Sequence, residues 1–151
     1  IYHALVTRCI DKPIVVEEPI GRHPVNRKKM SIHINGRHAV SKIKPLTMFK
    51  KATHVEVELI TGRTHQIRVH LSYLNNPVIG DSMYGFKKTF FTKDLNISDT
   101  IDPVFSQYLH AYSLSFRDPS SNELKKYTAE YPKEYSLLLN KLNKDNYDWG
   151  I

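Results

Sequence analysis

Hydrophobic residues in the first part of the chain recur at every second position, which is the period of a strand with one buried face. Residues 54–60 follow this alternation and predict a half-buried strand. Residues 2–6 also predict a strand, and residues 14–20 predict another strand or an extended segment. Residues 31–40 place the dipeptide Asn35-Gly36 between alternating apolar residues. Because Asn-Gly favours a type I′ turn, this stretch predicts a β-hairpin.

The hydrophobic period changes to that of an α-helix in two places. Ile67, Leu71 and Leu74 lie on one face of a short helix that begins near Thr64 and ends at Asn75-Asn76-Pro77. A second helix is expected from Pro132, a residue type that suits the first helical position. Its apolar stripe should pack on the sheet and consists of Tyr135, Leu138, Leu139 and Leu142.

The remaining pattern completes a single α+β domain. Residues 109–116 alternate as one further strand, and residues 85–103 read as a long polar loop with Phe90-Phe91 at its tip. Internal repeats, low-complexity tracts and a domain boundary are not evident in the 151 residues. The predicted architecture is therefore a mixed, mostly antiparallel sheet with a few packed helices.

Composition narrows the class of protein. Hydrophobic residues make up 40% and charged residues 25% of the chain, which is typical of a globular domain rather than a disordered one. No apolar run approaches the roughly 20 residues of a membrane span, so no membrane partner is expected. Cys9 is the single cysteine, which excludes an internal disulfide and fits a reducing intracellular compartment, the cytoplasm or an organelle matrix.

The charge is unevenly distributed. Residues 1–50 contain ten basic and three acidic side chains, whereas the basic and acidic side chains of the other 101 residues balance. A one-sided basic surface favours a polyanionic partner such as RNA, although an ordinary soluble basic surface is the alternative. The candidate phosphate-binding residues in this region are Arg22, Arg27, Lys28, Lys29 and Arg37.

One stretch resembles a known enzyme family. Residues 61–71 read TGRTHQIRVHL and residues 76–85 read NPVIGDSMYG, and together they resemble the motif of the RluA-type pseudouridine synthases. Residues 2–6 and 109–119 resemble two weaker family segments in the same order. The resemblance implies the pseudouridine synthase fold, isomerisation of specific uridines in rRNA or tRNA to pseudouridine, and a reaction that needs neither cofactor nor metal.

The resemblance also implies roles for individual residues. Arg68 matches the arginine that pairs with the family's catalytic aspartate, and Tyr2 matches the tyrosine that lies against the target uracil. His65 is three residues before Arg68 and shares its helix face, so it is a candidate RNA contact. Arg63 is expected to contact phosphate or to form a structural ion pair. Asp81 is interpreted as a loop-capping or pairing carboxylate, because the family's nucleophile lies elsewhere.

A metal site is not expected despite eight histidines. His65 and His70 are five residues apart, about 140° around a helix, and cannot share a ligand face. His33 and His38 could face each other across the predicted hairpin, but no third ligand is evident nearby.

The nucleophile of the family is an aspartate in an R-L-D motif upstream of the tyrosine strand, and no R-L-D occurs here. Either the chain begins after that aspartate or the natural protein has lost it. The start within a strand favours the first explanation, so residues 1–151 are expected to be the C-terminal portion of a catalytic domain. The alternatives are an inactive RNA-binding module of the same fold and a structural or interaction domain; a monomer is favoured.

We therefore predict that the 151-residue chain alone does not isomerise uridine, because it contains the arginine and tyrosine but no R-L-D aspartate. The measurement is tritium release from RNA labelled at uridine C5. Turnover by the purified chain would contradict this prediction.

Overall fold

The computed structural model describes residues 1–89 and 107–147 and has an antiparallel sheet at its centre. Its five strands are β1 Tyr2–Thr7, β2 Ile14–Glu17, β5 Val40–Met48, β6 Ala52–Leu59 and β7 Leu109–Ala111. They lie in the order β2-β5-β6-β1-β7, and each neighbouring pair is antiparallel. The predicted α+β class with a mostly antiparallel sheet is confirmed.

Both faces of the sheet are covered, because side chains of β1 alternate between two apolar clusters. Ala4 and Val6 belong to the cluster that contains Ile67 and Leu71 of helix α1 (Gln66–Tyr73). Leu5 points to the other face, in the cluster built by helix α2 (Lys133–Tyr147). Both predicted helix stripes are confirmed. The side chains that α2 buries in this cluster are Tyr135, Leu138 and Leu142, with Leu139 packed against it.

The predicted hairpin over residues 31–40 is wrong. Strand β4 (Met30–Ile32) pairs instead with β3 (Ile20–Arg22), which precedes it. Neither Asn35 nor Gly36 has the positive φ that a type I′ turn requires. Gly36 is needed for a different reason, because a Cβ there would lie 2.5 Å from the carbonyl carbon of Ile20.

The histidines of this segment have separate partners. His33 Nδ1 accepts a hydrogen bond from the Asn35 amide at 3.1 Å. His38 Nε2 lies 2.8 Å from a carboxylate oxygen of Glu17. The cross-strand pair considered for these two histidines is therefore not formed.

The strand expected at residues 109–116 divides at Tyr112. Its first part, β7, extends the central sheet beside β1, whereas β8 (Ser113–Arg117) pairs with β9 (Leu124–Thr128) in a separate hairpin. The amides of Tyr112 and Ser113 both donate to the carbonyl of Ile1, which ends the pairing with β1. The aromatic tip predicted for the 85–103 loop lies outside the described residues.

No helix in the described part of the chain combines the length and the apolar character that a membrane crossing requires.

A cluster of histidine and tyrosine rings fills the space between β1, β6 and the start of α2. His3 Nδ1 contacts the Tyr131 hydroxyl at 2.5 Å, and the His54 ring lies 5.3 Å from that of His3 and 6.0 Å from that of Tyr135. His54 is 6% exposed, and its Nε2 has no hydrogen-bond partner among the described residues. Burial, with a smaller contribution from His3, lowers the pKa of His54 to about 4.

This cluster predicts acid sensitivity. Between pH 6.5 and about 4 the unfolded chain binds a proton at His54 that the folded chain does not, so the free energy of unfolding falls as pH falls. The expected loss at pH 4 is on the order of 3 kcal/mol. Denaturant unfolding across this range should show a shallower pH dependence for His54→Leu than for the wild type. The exposed His38→Gln serves as the control, and an unchanged slope in His54→Leu would contradict the assignment to His54.

Candidate active site

The amino end of α1 is fixed to the sheet by Gln66, which is 2% exposed. Its Oε1 accepts hydrogen bonds from the Arg63 amide at 2.9 Å and the Thr61 hydroxyl at 2.8 Å. Its Nε2 donates to the carbonyl of Val40 and the hydroxyl of Ser41. All polar atoms of this buried amide therefore have partners, and the helix cannot slide along the sheet without losing them.

The helix begins at Gln66, two residues later than expected, because His65 adopts a left-handed conformation with φ 54°. This turn directs the half-buried His65 ring towards Tyr84, whose hydroxyl lies 2.8 Å from His65 Nδ1. Arg68 contacts the same tyrosine. His65 and Arg68 thus face one side of the helix, as their spacing predicted.

Arg68 forms a two-bond ion pair with Asp81. Its Nε donates to Oδ2 at 2.7 Å and its Nη2 to Oδ1 at 2.9 Å. The side chains are 11% and 2% exposed, so the pair is almost removed from water. The hydrogen bond to Asp81 raises the pKa of Arg68 further above its already high value. The pairing role considered for Asp81 is confirmed.

The ion pair leaves part of the guanidinium available. Nε and Nη2 carry the bonds to Asp81, and Nη2 also lies 3.8 Å from the sulfur of Met83. Among the described residues no hydrogen bond engages Nη1, the third nitrogen. An arginine has five N–H donors in a rigid plane, so this edge can still grip a second carboxylate or a substrate oxygen.

Tyr84 lies beneath the same guanidinium. It ends the 3₁₀ turn Ser82–Tyr84 that follows Asp81, and its ring centre is 4.6 Å from Arg68 Cζ. Its hydroxyl accepts a hydrogen bond from the Met30 amide at 2.9 Å. Lys29 Nζ is 5.5 Å from the ring centre. The tyrosine thus connects Arg68 with the β3–β4 hairpin.

The basic residues proposed to bind RNA are mostly grouped on this hairpin. Arg22 ends β3 and donates to the carbonyl of Arg27 in the connecting loop. Arg27 and Lys28 are exposed, and Lys29 is half-buried against Tyr84. Arg37 is exposed in the segment that bridges to Ile20 of β3. The basic region therefore borders the Arg68 site.

Tyr2 is half-buried at the start of β1. It packs against the cluster on the α1 side of the sheet, which includes Ile67, the neighbour of Arg68. Arg63 points elsewhere, since its Nε donates to the carbonyl of His38 at 2.9 Å. Its structural partner is thus a backbone carbonyl rather than a carboxylate.

The histidines of the motif have distinct roles. His70 is buried; its Nδ1 lies 2.9 Å from the Ser41 hydroxyl and its Nε2 lies 3.0 Å from the carbonyl of Glu18. Burial lowers the pKa of His70.

Within residues 1–89 and 107–147 no cluster of three or more His, Cys, Asp or Glu side chains is arranged to bind a metal ion.

Sequence reasoning missed Gln66 and Tyr84, although both lie inside the motif. Their partners come from β4, β5 and α1, so no local periodicity reveals them. The only sequence signal is their position within an unbroken motif.

Known proteins match this chain in sequence and in fold. Residues 1–73 match the family model described as RNA pseudouridylate synthase. Human RNA Pseudouridylate Synthase Domain Containing 1 superimposes with a TM-score of 0.70 at 26% identity, covering 90% of this chain and 56% of that one. Human RNA Pseudouridylate Synthase Domain Containing 4, at 22% identity and a TM-score of 0.69, shows the same fold.

Bacterial relatives match almost the whole chain. The Ribosomal large subunit pseudouridine synthase D of Pseudomonas aeruginosa is 36% identical over 146 residues, which cover 96% of this chain and 46% of the relative. The protein of the same name from Nitrosomonas europaea is 37% identical, with coverage of 91% and 39%. By its family model and these relatives, the chain resembles the RluA-type pseudouridine synthases. It spans less than half the length of these bacterial relatives.

The buried ion pair generates a stability prediction. Asp81→Asn leaves the Arg68 charge without its counter-charge, so the free energy of unfolding should fall by about 3–5 kcal/mol. Replacing both residues, as Arg68→Met with Asp81→Leu, should restore most of this loss because neither charge is then buried. Denaturant unfolding of the single and double variants measures both values. A double variant as unstable as Asp81→Asn would show that the pair itself stabilises the fold.

Proposed function

We propose that the full-length protein isomerises uridine in RNA to pseudouridine, and that residues 1–151 supply the C-terminal portion of its catalytic domain. The observation that carries this proposal is Arg68, which sits in the family motif on a helix fixed at its start and is held in a two-bond pair with one free edge. Rigid presentation of a permanent cation is what a site needs in order to orient a reacting carboxylate.

The reaction proposed for this site breaks the N-glycosidic bond of the target uridine, turns the uracil and rejoins it through carbon. In this proposal the nucleophilic aspartate comes from the region that the bacterial relatives have beyond this chain. Arg68 meets that carboxylate with Nη1 while Asp81 holds Nε and Nη2. A carboxylate paired in this way stays ionised and aimed. No residue of the site is assigned to a cofactor or a metal.

Tyr2 is proposed to lie against the uracil. The target base must leave its stack before it reacts, which costs a few kcal/mol, and an aromatic face regains about 1–3 kcal/mol by stacking. The position of Tyr2 at the start of β1, on the α1 side of the sheet, supports this assignment.

RNA is proposed to approach across the β3–β4 hairpin. Arg22, Arg27, Lys28 and Lys29, together with the nearby Arg37, would contact phosphates and set the register of the strand without reading its sequence. Arg63 and His65 are proposed as RNA contacts at the amino end of α1. Their existing bonds, to the His38 carbonyl and the Tyr84 hydroxyl, fix the direction of each side chain.

Ribosomal RNA is the favoured substrate, since the names of the bacterial relatives specify the large ribosomal subunit. Transfer RNA is the second candidate. An intracellular, reducing location and a monomeric enzyme are consistent with this substrate and are part of the proposal.

The first test concerns Arg68 in the full-length protein. Arg68→Ala should lower tritium release from uridine-C5-labelled ribosomal RNA by at least about a hundredfold, because it removes the positioned charge. Arg68→Lys keeps the charge opposite Asp81 but not the planar fork, so it should remain strongly impaired. Arg117→Ala, at an exposed arginine of β8, is the matched control and should retain activity. RNA binding without turnover by the wild type would instead favour an inactive binding module.

The second test concerns the hairpin. Changing Arg22, Arg27 and Lys28 to Gln should weaken RNA binding and reduce the slope of log affinity against log salt by about two to three. The slope falls because RNA binding releases about one fewer counterion for each phosphate contact that is lost. The control removes the same charge at exposed sites elsewhere, by changing Lys12, Lys44 and Lys126 to Gln. Equal slopes in the two triple variants would contradict a path across the hairpin. Fluorescence anisotropy over a salt series makes the comparison.

A further inference from the structure

Tyr84 occupies the junction of three elements around the proposed site. It is 5% exposed and ends the 3₁₀ turn that starts one residue after Asp81. Its ring and its hydroxyl contact different groups.

The Tyr84 ring contacts the guanidinium of Arg68. The guanidinium carbon lies 4.6 Å from the ring centre, within the range of a cation–π contact. Asp81 holds the edge of the guanidinium through two hydrogen bonds. An edge contact alone lets a planar group tilt about the axis through its two bonds, whereas a ring 4.6 Å from the guanidinium carbon restricts that tilt. Together the two contacts fix the direction of the free Nη1 edge.

The hydroxyl joins the basic hairpin to the helix. It accepts from the Met30 amide at 2.9 Å and lies 2.8 Å from His65 Nδ1. Because burial and the nearby Arg68 lower the pKa of His65, the neutral ring can accept a hydrogen bond from the Tyr84 hydroxyl at Nδ1. One hydroxyl thus bridges β4 and the residue before α1.

We propose that Tyr84 is a positioning residue with two separable roles: its ring sets the plane of Arg68, and its hydroxyl holds the β3–β4 hairpin in register with α1. The proposal rests on the proposed function, in which Arg68 orients the nucleophile and the hairpin carries RNA. It assigns the ring to the chemical step and the hydroxyl to RNA binding.

The test compares two substitutions in the full-length protein. Tyr84→Phe keeps the ring and loses the hydroxyl, so KM for RNA should rise by about threefold to tenfold while kcat falls by less than about twofold. Tyr84→Leu loses both, and its kcat should fall by on the order of tenfold to a hundredfold, because Arg68 is no longer aligned. Tyr127→Phe and Tyr127→Leu on β9 are matched controls at an exposed tyrosine.

A purely structural role would lower thermal stability without changing KM and kcat separately, and parallel losses in the two Tyr84 variants would overturn the proposal.

An NMR measurement separates this result from failure of the proposed function. The tyrosine ring current should shift the Arg68 Nε–H signal in the wild type and in Tyr84→Phe, and the shift should vanish in Tyr84→Leu. If the wild type shows no turnover, the proposed function fails, and an Arg68 signal unaffected by Tyr84→Leu would also refute the ring's role. If Tyr84→Leu does not fold, the KM effect of Tyr84→Phe remains decisive.

Discussion

The pair between Arg68 and Asp81 is the constraint on which the site depends. Both side chains are almost out of water, and taking two charges out of water costs several kcal/mol for each unless their geometry returns that energy. Two short hydrogen bonds between the guanidinium and the carboxylate provide such geometry. The pair also ties α1 to the segment before the 3₁₀ turn. Any shift of either element would leave a charge buried without its partner.

The rest of the α1 side holds this pair in place. Gln66 fixes the start of the helix to β5, His70 ties its middle to Ser41 and Glu18, and Ile67 and Leu71 pack on β1. A helix of eight residues is too short to be stable alone, so these contacts determine whether it forms. Arg68 is consequently presented by a rigid element. The same rigidity places the basic hairpin beside it, because the Tyr84 hydroxyl bonds to the Met30 amide.

The two faces of the sheet differ in chemistry. The α1 face carries the ion pair and borders the basic hairpin, whereas the α2 face packs leucines with a group of histidine and tyrosine rings. His3 and His54 on that face remain neutral near pH 7 because burial lowers the pKa of each. As neutral rings they pack against α2, and they offer no positive charge to RNA. The Arg68–Asp81 pair and the histidine–tyrosine cluster are thus placed on opposite sides of β1.

Periodicity in the sequence determined the elements that bury one face. Strand β6 and the stripes of α1 and α2 were predicted from their regular apolar faces, whereas β1 was predicted as a strand and is buried on both faces. The motif likewise identified Arg68 and Asp81 as candidate residues. The elements and these candidate residues could be predicted because each depends only on a short stretch of chain.

Only the tertiary structure decided which segments pair. The Asn35-Gly36 dipeptide favoured a local hairpin, but β4 pairs with β3, and the close approach of Gly36 to Ile20 replaces the expected turn. The strand at 109–116 kept its alternation while changing sheets at Tyr112, which a period of two cannot reveal. The partners of Arg68, His65 and Gln66 come from other elements, because a buried polar group takes its hydrogen bonds from whatever the fold brings within about 3 Å. Local sequence thus determined the elements and the candidate residues, and long-range packing determined what those residues contact.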